Sequence, residues 1–299
     1  MVSRKRRWFL GALIGLSVPA GLLAADAKQQ PAPQVPKLSV EQILEKHYAA
    51  RGGLQTWRGV QTMSWNGKME VGFGDSAARS ARYVSNAASA HNAKAVKQQL
   101  ATLQSGGAKP EEKQVQLPFL LEMKRPNKAR VEVEFDGKTS IQVYDGTSGW
   151  LKRPYLNRDD WEPFSPEQAK MQAAEPGLDG PLLDYAKRGI KVEFESVEPV
   201  EGQAAYKLKL TMKNGDVRHV WIDAQSFLDV KIEGTPRLMD GRMRTVWVYQ
   251  RDFRSVQGLM VPFVLETAVD GYRDTHKMMI EKVGLNPVLD DTLFVRPKS

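Results

Sequence analysis

The sequence predicts a mostly β protein of the α+β class, built on a strongly curved antiparallel sheet that forms an incomplete barrel. Two observations predict this class. Apolar and polar residues alternate with period two in about ten segments, which is typical of strands that bury one face. Outside residues 75–116, only three segments are predicted to be helices, too few to cover so large a sheet. Because long antiparallel sheets twist, we expect the sheet to curl, with the few helices as a lid over its apolar concave face.

The N-terminal segment predicts export from the cytoplasm. Basic residues at 4–7 precede an apolar run over 8–24 and an A-x-A site at 25–27, the parts of a cleavable signal peptide spanning 1–27. The pair Arg6-Arg7 leaves two routes open, Sec and twin-arginine. A retained membrane anchor is the alternative interpretation, although the apolar run is marginal for a span of about 30 Å.

Composition excludes several classes of protein. The chain of 299 residues has no cysteine, which excludes disulfides, cysteine-ligated metals, thiol catalysis and a lipid-modified N-terminal cysteine. The formal net charge is +8, but the basic residues alternate with acidic ones along the predicted strands. This alternation indicates a solvated sheet face, so we expect no nucleic acid among the partners.

A polar linker and a capped helix precede the sheet. Residues 28–38 are rich in Gln and Pro and predict a flexible linker before one domain that spans 39–299. Ser39 and Gln42 have capping-box spacing, and Gly52 with Gly53 is expected to end the helix. His47 lies on its apolar face, and we interpret it as a packed histidine and not as a ligand.

The first strand is followed by a low-complexity insertion. Alternation over 61–73 puts Trp65 and Met69 on one face, where bulky, soft side chains suit an adaptable binding surface as well as an ordinary core. Residues 75–116 are rich in Ala, Ser, Lys and Gln and predict an insertion with a helix over about 92–104. Too few of its residues are apolar to form a separate core.

A hairpin is predicted to turn at residues 136–137, which are Asp-Gly. A two-residue loop would pair Val133 with Ser140 and put the apolar residues of the two strands on opposite faces. A three-residue loop, starting one residue earlier, would pair Val131 with Ile141 and put them all on one face. We favour the three-residue loop because it gives one consistent apolar face.

Two helical segments and a second group of strands follow. One helix is predicted to start at Ser165-Pro166 and end near residue 176, and a second to span about 181–188. Alternation then returns over 190–195 and 206–212. Further strands are predicted near 228–234, 244–253, 260–269 and 275–283, before a closing tail over 285–297.

The turn at Asn214-Gly215 allows two registers. A two-residue loop puts Val217, His219 and Trp221 on the apolar face, whereas a three-residue loop puts Val220 and Ile222 there. We favour the two-residue loop because Asn-Gly suits a type I′ turn.

No arrangement of residues points to catalysis. The four histidines are scattered and lack metal-ligand spacing. The sequence has no nucleophile elbow, no P-loop and no dinucleotide fingerprint. We therefore expect a protein that is not an enzyme and that holds no cofactor and no metal.

Two neighbouring motifs resemble a known family. The sequence MKRPNKAR at 123–130, a hairpin, and VYDGTSGW at 143–150 resemble the signature of the LolA/LolB superfamily, in particular its outer membrane lipoprotein-sorting branch. The resemblance extends more weakly over 41–297. It implies a periplasmic half-barrel protein whose cargo is an acylated lipoprotein or lipid, with transfer partners at the inner and outer membranes. It also implies that Arg125 holds the lid helices closed. We expect a monomer.

An apolar cavity is the expected functional site, since burial favours an acyl chain by about 0.8 kcal/mol per methylene. We predict a carrier or acceptor that binds acyl chains of lipoproteins or other lipids for transfer towards the outer membrane. An envelope sensor or scaffold of the same fold, which binds a protein partner, is the alternative. The candidate lining residues share the alternation phase of their strands; they are Trp65, Met69, Phe119, Leu121, Val131, Val133, Leu208 and Leu210.

Overall fold

A computed structural model describes residues 35–71, 115–175 and 177–297. Within these ranges lie three α-helices, α1 (Val40–Ala50), α2 (Leu54–Gly59) and α3 (Pro166–Ala173), and fifteen strands. The strands are β1 (Thr62–Val71), β2 (Val115–Lys124), β3 (Lys128–Phe135), β4 (Lys138–Tyr144), β5 (Gly149–Arg153), β6 (Arg158–Pro163), β7 (Lys191–Val200), β8 (Gln203–Thr211), β9 (Val217–Asp223), β10 (Asp229–Glu233), β11 (Arg237–Met239), β12 (Arg242–Arg244), β13 (Val246–Val256), β14 (Leu259–Val269) and β15 (His276–Leu285). Short 3-10 helices span Pro154–Leu156, Gly177–Asp179 and Asp291–Phe294.

Thirteen of the strands form one antiparallel sheet in the order β6-β5-β4-β3-β2-β1-β15-β14-β13-β10-β9-β8-β7. The sheet is not closed into a barrel, because β6 and β7 lie at its two edges. Strands β11 and β12 form a separate hairpin. The prediction of a mostly β fold with a large, unclosed antiparallel sheet and few helices is confirmed. Strand β6 was not predicted from the sequence.

Several predicted segments lie outside the described residues. These are the signal peptide over 1–27, most of the linker over 28–38 and residues 75–114 of the insertion. The last two residues assigned to the insertion, Val115 and Gln116, are instead the first two of β2. At the described end of the linker, Val35 and Leu38 pack against the domain, and the Tyr206 hydroxyl donates to the Pro36 carbonyl at 2.9 Å.

Helix α1 begins and ends at the predicted residues. Ser39 Oγ accepts a hydrogen bond from the Gln42 backbone N–H at 3.3 Å, and the Gln42 side chain accepts one from the Ser39 N–H at 2.9 Å. After the helix, Gly52 has φ +97°, and a Cβ there would lie 2.1 Å from the Gly258 carbonyl oxygen. Only glycine fits this close approach, which brings the end of α1 against the turn before β14.

The prediction of a three-residue loop between β3 and β4 is wrong. Val133 pairs with Ser140 and Glu132 with Ile141, which leaves a two-residue loop with positive φ at Asp136 and Gly137. This is the geometry that an Asp-Gly turn prefers. Ile141 and Val143 of β4 therefore face away from Val131 and Val133 of β3. They are covered there by the C-terminal 3-10 helix, which contacts both β3 and β4.

The prediction of a two-residue loop between β8 and β9 is also wrong. Leu208 pairs with Val220 and Tyr206 with Ile222, and beyond the strand ends the Met212 N–H donates to the Asp216 carbonyl at 2.8 Å, so the loop has three residues, 213–215. These four side chains are almost completely buried in one cluster. Packing of this face outweighs the local preference of Asn-Gly for a tighter turn. His219 and Trp221 consequently lie on the opposite face of the sheet.

The second predicted helix, over 181–188, is not regular. Residues 180–189 form consecutive turns, and Asp184 has φ +48°, which no α-helix accommodates. Leu182 and Leu183 are nevertheless buried, as their apolar pattern indicates. Ser165 caps helix α3 and Pro166 is its first residue, as predicted, but the helix ends at Ala173, before the predicted end near residue 176.

Two apolar clusters hold the sheet and helices together. The first joins Trp57 of α2 to β1, β2, β3, β14 and β15, and includes Met63 and Val261. The second joins Ile43 and Leu44 of α1 to Tyr206, Leu208 and neighbouring side chains of β8 and β9. Helices α1 and α2 are thus anchored on different parts of the sheet.

Residues 72–114 are expected to be dispensable for folding. Val71 and Val115, which flank this segment, are directly opposite each other in the β1–β2 pair. Replacing 72–114 by Asn-Gly should therefore close a hairpin without disturbing the register. We expect a cooperative thermal transition at an equal or higher temperature, since shortening a loop lowers its closure cost by about 0.6 kcal/mol per halving. Loss of the cooperative transition in differential scanning calorimetry would show that the segment belongs to the core.

Candidate binding cavity

One cavity of about 600 Å³ lies between the helices and the sheet. Trp65 of β1 and Leu210 of β8 both line it. In a flat sheet these strands, six spacings apart, would be separated by about 29 Å, at about 4.8 Å per strand. Both strands can reach the same cavity because the sheet curves around it. Helix α1 and the turns over 177–189 supply the facing wall.

The predicted lining residues divide into three sets. Trp65 and Leu210 line the cavity. Leu208 is fully buried beneath α1 in the second cluster. The other five lie in or against the first cluster; they are Met69, Phe119, Leu121, Val131 and Val133. Two of them, Leu121 and Val131, form one cross-strand row with Trp65. Contact of any of the eight with a ligand stays a prediction.

Arg125 joins β2 to two other elements. Its Nε donates to the Val60 carbonyl at 2.6 Å and its Nη2 to the Trp57 carbonyl at 3.1 Å, both at the C-terminal end of α2. Its Nη1 forms an ion pair with Asp179, in the 3-10 helix that starts the turns over 177–189. Carbonyls at a helix end have no partner within the helix, and the forked guanidinium satisfies two of them at once. A gating role for this residue stays a prediction.

Two further contacts tie the turns over 177–189 to the helices. The Tyr48 hydroxyl of α1 donates to the Leu182 carbonyl at 2.9 Å, and burial, with Tyr185 and Asp184 nearby, raises the pKa of Tyr48 to about 12. Arg58 of α2 forms an ion pair with Asp184, whose pKa is lowered chiefly by the hydrogen bond from that guanidinium. Together with Arg125, these contacts fix the turn segment at one side of the cavity.

A polar cluster of His47, Arg51, Asp229 and Gln250 lines the cavity. Arg51 Nη1 lies 2.7 Å from Asp229 Oδ1, and Gln250 Nε2 donates to Asp229 Oδ2 at 2.9 Å. His47 Nδ1 lies 2.9 Å from the Phe227 carbonyl oxygen, so this nitrogen carries the proton. Asp229 is 4% and His47 4% exposed, which makes this the buried polar part of the cavity wall.

The cluster holds one full charge of each sign. Burial alone would raise the pKa of Asp229, but the charge of Arg51 and the hydrogen bonds from Gln250 and Arg51 hold it below its ordinary value, so the carboxylate is ionised. Burial lowers the pKa of His47, more than the nearby carboxylate raises it. His47 is therefore neutral at pH 7.

Sequence reasoning missed most of this cluster. His47 was interpreted as a packed histidine, but Arg51, Asp229 and Gln250 were not singled out. One signal was available: Gln250 shares the alternation phase of Val246 and Val248, where an apolar residue is expected. No local pattern could have indicated that Arg51 meets Asp229, because 178 positions separate them.

Within the ranges that the structure describes, no helix combines the length and apolar character needed to cross a membrane. The same ranges contain no group of three or more His, Asp or Glu side chains arranged to hold a metal ion.

The fold and cavity define a class of protein in which one open antiparallel sheet curves around a cavity. No family model matches the sequence, and no curated protein matches it. Among solved structures, the chain is similar to a LolA superfamily protein from Nitrosomonas europaea, with a TM-score of 0.51 and 14% identity over 87% of this chain and 99% of that one. It is also similar to an outer membrane lipoprotein-sorting protein domain, described as putative, from Vibrio parahaemolyticus, with a TM-score of 0.49 and 10% identity over 86% and 95%.

The first of these similarities shows that the chain has a LolA-like fold. The resemblance inferred from the motifs at 123–130 and 143–150 is thereby confirmed at the level of the fold.

Proposed function

We propose that the protein is a non-enzymatic periplasmic carrier or acceptor, which binds acyl chains of lipoproteins or other lipids and passes them towards the outer membrane. The cavity carries this proposal. Its volume of about 600 Å³ is in the range of small-molecule sites, and much of its wall is apolar, including Trp57, Trp65, Val248 and Leu265. Each methylene buried there would contribute about 0.8 kcal/mol. The predicted export signal supports the location.

The turns over 177–189 act in this proposal as the lid. They line the cavity, and they are held by side chains of other elements through Arg125, Arg58 and Tyr48. Ion pairs of this kind are strong enough to favour a closed state and weak enough to allow opening. Cargo would enter and leave as these contacts break and re-form.

Protein purified from the periplasm is expected to carry acyl chains. Native mass spectrometry should show mass additions that disappear after organic extraction, and the extract should contain fatty acyl groups in stoichiometric amounts. The same protein refolded after extraction should bind a fluorescent fatty acid. A ligand-free native mass together with no binding of the fatty acid would contradict the proposal.

A second candidate function is that of an envelope sensor or scaffold which binds a protein partner. The hairpin of β11 and β12 favours it. Leu238 and Met243 are directly opposite each other on this hairpin and are 58% and 64% exposed. Exposed apolar side chains on a hairpin outside the main sheet are typical of a contact surface. Capture of one defined envelope protein that is lost on Leu238→Asp, with no acyl chains bound, would favour this candidate.

A further inference from the structure

The cluster of His47, Arg51, Asp229 and Gln250 does more than line the cavity. We propose that it is a subsite for the uncharged polar group of an acyl amide or a hydroxyl-bearing acyl ester, so that the cavity prefers such molecules to free fatty acids. This inference rests on the proposed acyl-binding function and specifies the ligand class.

The charge balance of the cluster disfavours a ligand carboxylate. Arg51 and Asp229 neutralise each other at 2.7 Å, and the second Asp229 oxygen is occupied by Gln250. A carboxylate placed beside them would bring a second negative charge to a buried position without a second cation. Removing an ion from water without a partner is strongly unfavourable. An uncharged group avoids this penalty.

The hydrogen-bonding groups left over match an uncharged group that both donates and accepts. Arg51 has five N–H donors, of which one bonds Asp229, and its guanidinium stacks 4.5 Å from the Trp57 ring. Its Nε is buried without a hydrogen-bond partner among the described residues. A ligand carbonyl can accept from this guanidinium. In the neutral ring of His47, Nε2 is an acceptor because Nδ1 holds the proton.

Gln250 supplies a second acceptor. Its amide nitrogen donates to Asp229, and its Oε1 accepts no hydrogen bond from the described residues, so it can accept from a ligand N–H or O–H. An amide carries one carbonyl and one N–H, and a monoacylglycerol carries one carbonyl and two hydroxyls. Either can satisfy donor and acceptor together, whereas a carboxylate only accepts. Unpaired polar groups would otherwise remain against a bound acyl chain.

The other cations of the cavity lie on different elements, and each is either hydrogen-bonded or exposed to solvent. Arg188 donates to the Gly180 and Pro181 carbonyls at 2.8 Å each. Arg218 of β9 donates to the Thr235 hydroxyl at 3.0 Å. Lys213, in the loop between β8 and β9, is exposed. None of them adds a positive charge to the buried cluster between α1, β10 and β13.

The test compares three ligands with the same sixteen-carbon chain: palmitoylethanolamide, monopalmitoylglycerol and palmitate. Each displaces N-phenyl-1-naphthylamine from delipidated full-length protein at pH 7.5, below the micelle concentration of each ligand. We expect the amide and the ester to bind at least tenfold more tightly than palmitate. Gln250→Met, which keeps the volume and removes the amide, should reduce this ratio at least threefold. Gln142→Met, at a half-buried glutamine that does not line the cavity, should leave it unchanged.

Three outcomes would overturn the inference. Palmitate binding as tightly as the other two ligands to the wild type would do so without any variant, and would leave the acyl-carrier proposal standing. An unchanged preference in a folded Gln250→Met protein would show that the cluster does not determine which ligand binds. Failure of all three ligands to displace the probe would contradict both the inference and the proposed function.

Discussion

Substitution of Arg125 by leucine is expected to speed the release of a bound fluorescent fatty acid by about 30-fold while the protein stays folded. The change removes two hydrogen bonds to the end of α2 and the ion pair with Asp179. Hydrogen bonds to charged groups contribute about 1.5–3 kcal/mol each, but the pair is partly exposed and Asp179 can be rehydrated. A net destabilisation of the closed state by about 2 kcal/mol corresponds to about a 30-fold increase in the release rate. Stopped-flow fluorescence after dilution into acceptor vesicles measures the rate.

Two matched variants isolate the geometry of this contact from its charge. Arg125→Lys keeps the charge but cannot reach two carbonyls and Asp179 together, so it should release ligand faster than the wild type and more slowly than Arg125→Leu. Arg254→Leu removes an exposed ion pair with Asp252 and should not change the rate. Equal release rates for wild type and Arg125→Leu, with equal melting curves, would show that Arg125 has no role in holding the lid closed.

The Asp229→Asn variant is expected to lose about 3–5 kcal/mol of unfolding free energy at pH 7, since it leaves Arg51 buried without a counter-charge. Urea denaturation followed by tryptophan fluorescence measures the loss. Asp252→Asn serves as the control, because its ion pair with Arg254 is exposed and should change stability by at most about 1 kcal/mol.

The same variant tests the pH dependence of stability. The folded-state pKa of Asp229 lies below its unfolded value. Its contribution is therefore fully present above the unfolded pKa of about 3.9 and is lost as pH falls through the lower folded value. The stability difference between wild type and Asp229→Asn should narrow in that acid range. A difference that stays constant down to pH 2 would mean that Asp229 does not titrate as described.

The two hairpins explain how far the sequence predicts this fold. Alternation was sufficient to predict an open antiparallel sheet, yet both favoured registers were wrong, in opposite directions. Between β3 and β4 the local turn preference prevailed, because Val143 finds a second buried environment under the C-terminal 3-10 helix. There Arg130 donates to the Leu293 carbonyl at 3.1 Å and Phe294 is fully buried. No residue near Val143 in the sequence indicates that the C-terminal 3-10 helix covers it.

Between β8 and β9, in contrast, packing of the buried face prevailed over the local turn preference. Leu208 and Val220 pair in the most completely buried part of the sheet, and a slip by one residue would expose this face.

The candidate site, too, could be predicted only where local pattern decides the structure. Trp65 and Leu210 were predictable because the alternation within a single strand shows which of its residues lie on the apolar face. Asp229 and Gln250 meet because β10 pairs with β13, and Arg51 reaches them from the end of α1; these contacts between distant segments are not encoded in any single segment.

An open sheet has a consequence for behaviour at high concentration. Among the described residues, no further strand pairs with the outer edges of β6 and β7, so the backbone groups there could template the strands of another molecule. Strand β7 carries exposed Phe194, but the register shifts beside it and Pro199 lacks an N–H, so the strand offers no flat, continuous template. Strand β6 exposes Asp159 and Asp160, whose like charges would repel an incoming copy. These features oppose fibril growth and favour colloidal stability in a fold that leaves its sheet unclosed.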